Sequence, residues 1–306
     1  MNKERIKKFS YFLLFYTLVV ILWGAWVRIS HSGDGCGDTW PLCQGQVIPE
    51  AAAKKTWVEY THRMMSGIYG ILVIYFYFLI RKNFPTNSNQ RRFALFTLIF
   101  MITEALLGAK LVLFGLVGSN SSAFRTFAMS LHQINSLLLV GATAVFLFSY
   151  ETSSLNIDLG NFISSFFKKN KFLLALMVVA LTGAWAALST TLFPSQNLLD
   201  GFKSDFSNES HFLLRLRLSH PVLALLVIGY FVVKFYKESQ NSETSPRLRT
   251  VYSQTSIVGA TALVFGILTL LLLSPVWMKL AHLALAQILW IMFIRQAVIS
   301  LDSAKR

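Results

Sequence analysis

Apolar residues in this chain do not alternate with polar ones. They run in stretches of about twenty, separated by short polar segments. A helix crossing the hydrocarbon core needs roughly 20 mainly apolar residues. Eight such stretches stand near 10–30, 60–81, 93–116, 127–149, 172–193, 212–233, 253–273 and 277–298. The last two form one apolar run split by Ser274-Pro275, which predicts a tight hairpin at a membrane surface. The first follows the basic segment MNKERIKK, as a signal peptide would. Its apolar part is longer than a signal core and no A-x-A site follows, so it reads as a true span.

Composition agrees. Of 306 residues, 54% are hydrophobic and 14% charged, with a mean hydropathy of +0.54, a balance that excludes an ordinary soluble domain. The net charge of +14 invites a nucleic-acid partner, but its distribution argues against one. Lys3, Arg5, Lys7, Lys8, Arg81, Lys82, Arg91, Arg92, Lys168, Lys169, Lys171, Lys234, Lys237, Arg247, Arg249, Lys305 and Arg306 all fall on one side of the predicted spans. The opposite loops carry Asp34, Asp38, Glu50, Asp200, Asp205 and Glu209. This positive-inside asymmetry predicts a multi-pass protein of a bacterial-type cell (inner) membrane with both termini cytoplasmic. Its partner is the bilayer, not nucleic acid.

The chain also repeats itself. LWGAWVRIS (22–30) matches LTGAWAALS (181–189), EYTHR (59–63) matches RLSHP (217–221), and LLGAKLVLFG (106–115) matches VFGILTLLLL (264–273), all at an offset of about 158 residues. Four spans per unit make the repeat parallel. The expected fold is therefore all-α: eight transmembrane helices as two pseudo-symmetric four-helix bundles. The expected units are residues 1–150, a cytoplasmic linker at 151–171, and residues 172–306.

Four of the six histidines lie inside spans: His62, His132, His220 and His282, one in each even-numbered span and all near its outer end. Ionisable groups inside a membrane default to functional hypotheses. Two imidazoles on facing helices can ligate one heme iron from opposite sides, so two pairs suggest two hemes; the bland alternative is helix-to-helix hydrogen bonding. Zinc is poorly supported, because two histidines alone make an incomplete site. Gly67, Gly70, Gly108, Gly141, Gly183, Gly259 and Gly266 could admit a flat macrocycle or simply serve helix contact. Arg63 and Arg217 are candidates to pair with heme propionates, or to snorkel to headgroups. Cys36 and Cys43, the only cysteines, could close a small loop as a disulfide, or remain as thiols.

The halves differ at one position. Three residues before His62 stands Glu59; three before His220 stands Arg217. One pocket thus gains a carboxylate able to exchange protons and the other a fixed cation, unless Glu59 only faces interfacial water. Glu104, midway along span three, could contact Lys110 or line a proton path.

With these residues together the chain resembles the heme A synthase family over essentially its whole length. The resemblance rests on GDGCGDTWPLC in the first outer loop, ExxHR at 59–63, RxxHP at 217–221, and the histidines at 132 and 282. It implies an oxidoreductase that converts the methyl group of heme O to the formyl group of heme A, with water as the oxygen source, for aa3-type terminal oxidases. It implies Glu59 as catalytic glutamate, His62 and His132 as axial ligands of substrate heme O, His220 and His282 as ligands of a resident heme b, and Cys36–Cys43 as a disulfide. Implied partners are a heme O synthase (prenyltransferase) and terminal oxidase assembly factors; a second copy of the chain is a candidate partner besides, which the resemblance does not imply. The competing readings are a diheme b-type electron carrier and a heme-transfer assembly protein. The chain departs from the family in the FPSQNLLDGFKSDFSNES loop, which lacks the second cysteine pair of many relatives, and at Glu104, where relatives more often carry Gln.

Overall fold

The computed structural model describes residues 3–50, 53–151 and 170–303. The proposed linker at 151–171 lies almost wholly outside these residues, as do Lys168, Lys169, Lys305 and Arg306. Among the described residues ten helices form: α1 (Lys3–Ile29), α2 (Lys54–Asn83), α3 (Asn89–Leu113), α4 (Ala123–Glu151), α5 (Phe172–Leu192), α6 (Leu198–Phe206), α7 (Phe212–Arg217), α8 (Ser219–Gln240), α9 (Pro246–Leu271) and α10 (Val276–Ser303). With α7 and α8 counted as one run, eight helices among the described residues are long and apolar enough to cross a membrane. The chain is a multi-pass membrane protein, and no strand occurs among the described residues. The expected spans are all present; most extend beyond their apolar cores because interfacial polar residues continue the helix.

Successive helices α1 to α4 touch, and α4 returns to α1. Helices α5, α8, α9 and α10 form the same ring, and α4 meets α10 and α5 between the rings. Two four-helix bundles side by side describe this arrangement. In the most apolar stretch of α4, 67% is buried in protein, against 11% for the α7–α8 run. Helix α4 is thus the central pillar, while α8 turns Leu225, Leu226 and Val233 outward, where lipid rather than water satisfies them. Across the seam, Trp290 Nε1 donates to the Leu137 carbonyl at 2.9 Å and Trp185 Nε1 donates to Ser130 Oγ at 2.8 Å. An indole N–H with no partner in hydrocarbon would cost several kcal/mol, so these two bonds fix the register of the halves.

The α9–α10 connection is the hairpin predicted at Ser274-Pro275. Leu273 and Ser274 adopt positive φ (58° and 57°), and their N–H groups close the helix end onto Leu270 and Thr269.

Two local features differ from the expected pattern. Span six is interrupted at Leu218. The reason is Pro221, which offers no N–H and whose ring crowds the carbonyl four residues back, at Arg217. In the first half Arg63 occupies the equivalent position, and α2 runs unbroken. The loop between spans five and six also contains α6. Asn197 caps it, accepting from Asp200 N at 2.9 Å and donating to the Asp200 carboxylate at 2.7 Å.

Candidate functional site

Each of the four membrane histidines lies about two turns into its helical run, at the end of the bundle carrying the Cys36–Cys43 loop. Each packs its ring against a glycine of the preceding long helix. A Cβ built on Gly24 would sit 2.9 Å from His62 Cε1; on Gly183, 3.0 Å from His220 Cε1; on Gly266, 2.8 Å from His282 Cε1; and on Gly108, 3.7 Å from His132 Cε1. The first three positions have no room for a side chain while the imidazole stays where it is. Gly24 and Gly183 correspond through the repeat, as do Gly108 and Gly266. Of the other glycines singled out, Gly67 faces open space, Gly70 meets Met101, Gly141 takes Trp290 and Gly259 meets Val232; these last three serve helix packing. Gly24 went unread, although the match between LWGAWVRIS and LTGAWAALS contained it.

His220 and His282 face each other with ring centroids 6.2 Å apart and planes at 70°. Once the half-widths of the rings are subtracted, that gap suits one metal atom bonded to both, at imidazole–metal lengths of roughly 2.0–2.1 Å. His220 Nδ1 lies 3.1 Å from the Val179 carbonyl, one turn before Gly183. Donation there leaves Nε2 with its lone pair free. In the first half His62 and His132 lie within electrostatic reach of each other. Nδ1 of His62, of His132 and of His282 has no hydrogen-bond partner, and no group of three His, Cys, Asp or Glu side chains suited to a metal forms among the described residues. Paired imidazoles of this kind fit a metal that brings its own equatorial ligands, as heme iron does.

The caps over the two pairs are charged but neutralised. Cys36 and Cys43 form a disulfide. Their loop sits hard on the start of α2, where Gly35 approaches the Lys55 carbonyl so closely that a Cβ would lie 2.5 Å from it. Thr56 Oγ donates to the Gly35 carbonyl at 2.8 Å. Glu59, only 3% exposed, accepts from Cys36 N at 2.8 Å and from Arg63 Nη2 and Nε at 2.6 and 3.2 Å. Arg63 Nη1 donates back to the carbonyls of Thr39 and Leu42 at 2.6 and 2.5 Å. Carboxylate, guanidinium and disulfide loop thus form one unit.

In the second half Arg217 does not stand as a free cation. Its Nε lies 2.5 Å from the Asp205 carboxylate of α6, and Nη2 donates to the Gly201 carbonyl at 2.9 Å and to Ser195 Oγ at 3.3 Å. Burial pushes the Asp205 carboxyl above its ordinary range, and Arg217 opposes that shift. The expectation of a carboxylate in one half against a bare cation in the other is corrected: both caps hold an Arg–carboxylate pair, and the acids come from different elements.

Glu104 does not pair with Lys110, which is exposed. It turns instead to α4, accepting from Ser136 Oγ and, at 2.6 Å, from Asn135 Nδ2. His211, off the fourfold pattern, caps α7 with Nδ1 accepting from Leu213 N at 3.3 Å. A cavity of about 300 Å³ beside Lys3, Lys7 and Tyr150 lies at the other end of the helices, away from the histidines.

An eight-span helical membrane protein with two half-buried histidine pairs at one depth is the class that fold and geometry define. Residues 7–294 match the family model described as cytochrome oxidase assembly protein, and the chain belongs to that family. It is 33% identical to a Thermus thermophilus protein named protoheme IX farnesyltransferase, over 99% of this chain and 50% of that protein. It is 38% identical to a heme A synthase of Alkalihalophilus pseudofirmus over 37% of this chain and 38% of that one. A heme A synthase of Halalkalibacterium halodurans is 40% identical over 32% and 33%. The chain spans about half the length of the first of these relatives.

Proposed function

We propose that this chain is a heme A synthase, oxidising the methyl group of heme O to the formyl group of heme A for aa3-type terminal oxidases. The observation that carries this reading is the unequal pair of histidine sites. Both halves seat two imidazoles against glycine backbones, but only the first places a buried carboxylate, Glu59, on the same helix one turn before its histidine. The heme A synthase relatives and the family match support the same assignment.

In this reading His62 and His132 hold substrate heme O, and His220 and His282 hold heme b. Heme b, when bound, supplies a one-electron acceptor. Three N–H donors converge on Glu59, which is the acid placed to exchange a proton beside the first histidine pair. Arg63 and Arg217 would meet propionates only by exchanging their present carbonyl and carboxylate partners. The disulfide loop and α6 exclude water above the two pockets. Water is the oxygen source: taking the methyl to the formyl group consumes one water and releases four protons and four electrons, and the electrons would leave one at a time through heme b to an acceptor outside the chain. The basic loops lie in the cytoplasm and the histidines toward the outer face of a bacterial inner membrane. A heme O synthase is the supplier, and a farnesyltransferase half of whose length resembles this chain supports a supplier working nearby.

One observation favours a plain diheme electron carrier: both Glu59 oxygens are already bonded to the cap, so the acid could be structural only. The test is heme extraction and chromatography from cells that make heme O, with and without this protein. Heme A should appear with the wild type and vanish with His62→Ala, and Glu59→Gln should accumulate heme O or a part-oxidised product. Bound heme without conversion, or normal heme A from Glu59→Gln, would move the assignment to the carrier.

A further inference from the structure

Glu104 is an acid midway along an apolar span, and such a group needs a reason to be there. It is tightly built in. Ser136 and Asn135 both donate to it. Asn135 is itself fixed by donating to the Phe100 carbonyl at 2.8 Å and accepting from Thr103 Oγ at 2.6 Å. The carboxylate's Oε1 lies 3.5 Å from Nδ1 of His132, and that nitrogen makes no hydrogen bond. The contact is longer than a settled hydrogen bond, as contacts at functional sites are before a ligand tightens them.

The repeat supplies the control. The position equivalent to Glu104 is Ala262, and those equivalent to Asn135 and Ser136 on the His282 helix are Leu285 and Ala286. None of these three second-half positions carries a polar side chain. The counterpart of His132, His282, has no hydrogen-bond partner at Nδ1, and His220, the counterpart of His62, directs Nδ1 at a neutral carbonyl. Among the described residues, His132 alone of the four imidazoles has a carboxylate within 4 Å of its Nδ1.

Resting on the heme reading above, we infer that Glu104 is a positioning residue for His132. It accepts the Nδ1 proton in a hydrogen bond, turns the Nε2 lone pair toward the iron, and gives the imidazole partial imidazolate character. A carboxylate behind a ligating histidine raises its basicity. A more basic axial ligand favours ferric over ferrous iron, so the first-half heme takes the lower potential. The two pockets are then graded, and electrons run downhill from the first half to the second.

The experiment is a spectroelectrochemical titration of the purified, heme-loaded full chain, with His62→Ala identifying which transition belongs to the first half. Glu104→Gln should cost the first-half heme roughly tenfold in ferric preference, an upward shift of about 59 mV for a one-electron couple, and leave the second-half heme unmoved. Glu104→Asp should restore part of the difference. Ser136→Ala keeps the acid but loosens it and should shift the same transition upward by less; it also decides the matter if Glu104→Gln holds no first-half heme. An unchanged first-half potential, or an equal shift of both hemes, overturns the inference. A wild type whose heme content is unaffected by His62→Ala overturns the heme reading instead, and the two failures are distinct.

Discussion

The first half covers its histidine pair with a loop tied by Cys36–Cys43, and the second half covers its own with α6, which has no cysteine. Each cap ends in an Arg–carboxylate pair, wired differently. In the first half acid and base share α2, as Glu59 and Arg63, and the loop supplies only backbone groups. In the second the base is on α7, and the acid, Asp205, belongs to the cap itself. A loop without secondary structure has no intrinsic order, so a covalent tie and a fixed charged post replace it; a capped helix brings its own order and needs one docking pair. The difference also leaves Glu59 on the histidine's own helix, whereas Asp205 comes from the cap and docks it.

The largest expected effect comes from breaking either pair, since removing one partner of a buried ion pair strands the other. Arg217→Ala should cost about 3–5 kcal/mol, seen as early thermal loss of the second-half heme with the first-half heme retained. Arg63→Ala should do the reverse. Loss of both hemes from either variant would show that the caps are not independent. Replacing Cys36 and Cys43 with serine should cost less. A loop this short contributes roughly 2–3 kcal/mol by chain entropy, and the Cys36 N–H still reaches Glu59. Scanning calorimetry of the first half should show that loss, and dithiothreitol should reproduce it on the wild type.

Much of this was legible in the chain. Unbroken apolar runs, the repeat, the Ser274-Pro275 turn and the closely spaced cysteines are local signals, and the structure follows them. The i,i+4 spacing of Glu59 and Arg63 was equally local, but it was overshadowed by the i,i+3 spacing of Glu59 and His62; a side chain in reach of two partners does not declare its choice. The break in span six at Pro221 and the start of α6 at Asn197 went unread, although a proline inside a span and an Asn three residues before an Asp are the signals that carry them. Asp205 could not have been assigned to Arg217, because a helix of unknown orientation separates them. Glu104 had two helices to choose from, and its turn toward α4 is a packing result that no spacing encodes.

The smallest effects test the glycines, where the seat of His132 differs from that of its counterpart His282. At Gly266 and Gly183 a methyl group would come 2.8 and 3.0 Å from an imidazole carbon, whereas at Gly108 it would come 3.7 Å from one, an ordinary contact. Gly266→Ala and Gly183→Ala should therefore displace their histidines at an overpacking cost of about 1–3 kcal/mol, with weakened heme retention in the second half. Gly108→Ala should leave the first half's heme content unchanged, and the added methyl offsets part of its own burial by favouring the helix over glycine by about 1 kcal/mol. Heme-to-protein ratios of the three variants after purification read this directly. The looser seat of His132 is also what the Glu104 contact requires, since a ring jammed against a helix backbone could not turn toward a carboxylate 3.5 Å away. If Gly108→Ala empties the first pocket while Gly266→Ala leaves the second full, the two seats are misjudged, and with them the freedom that lets Glu104 set the orientation of His132.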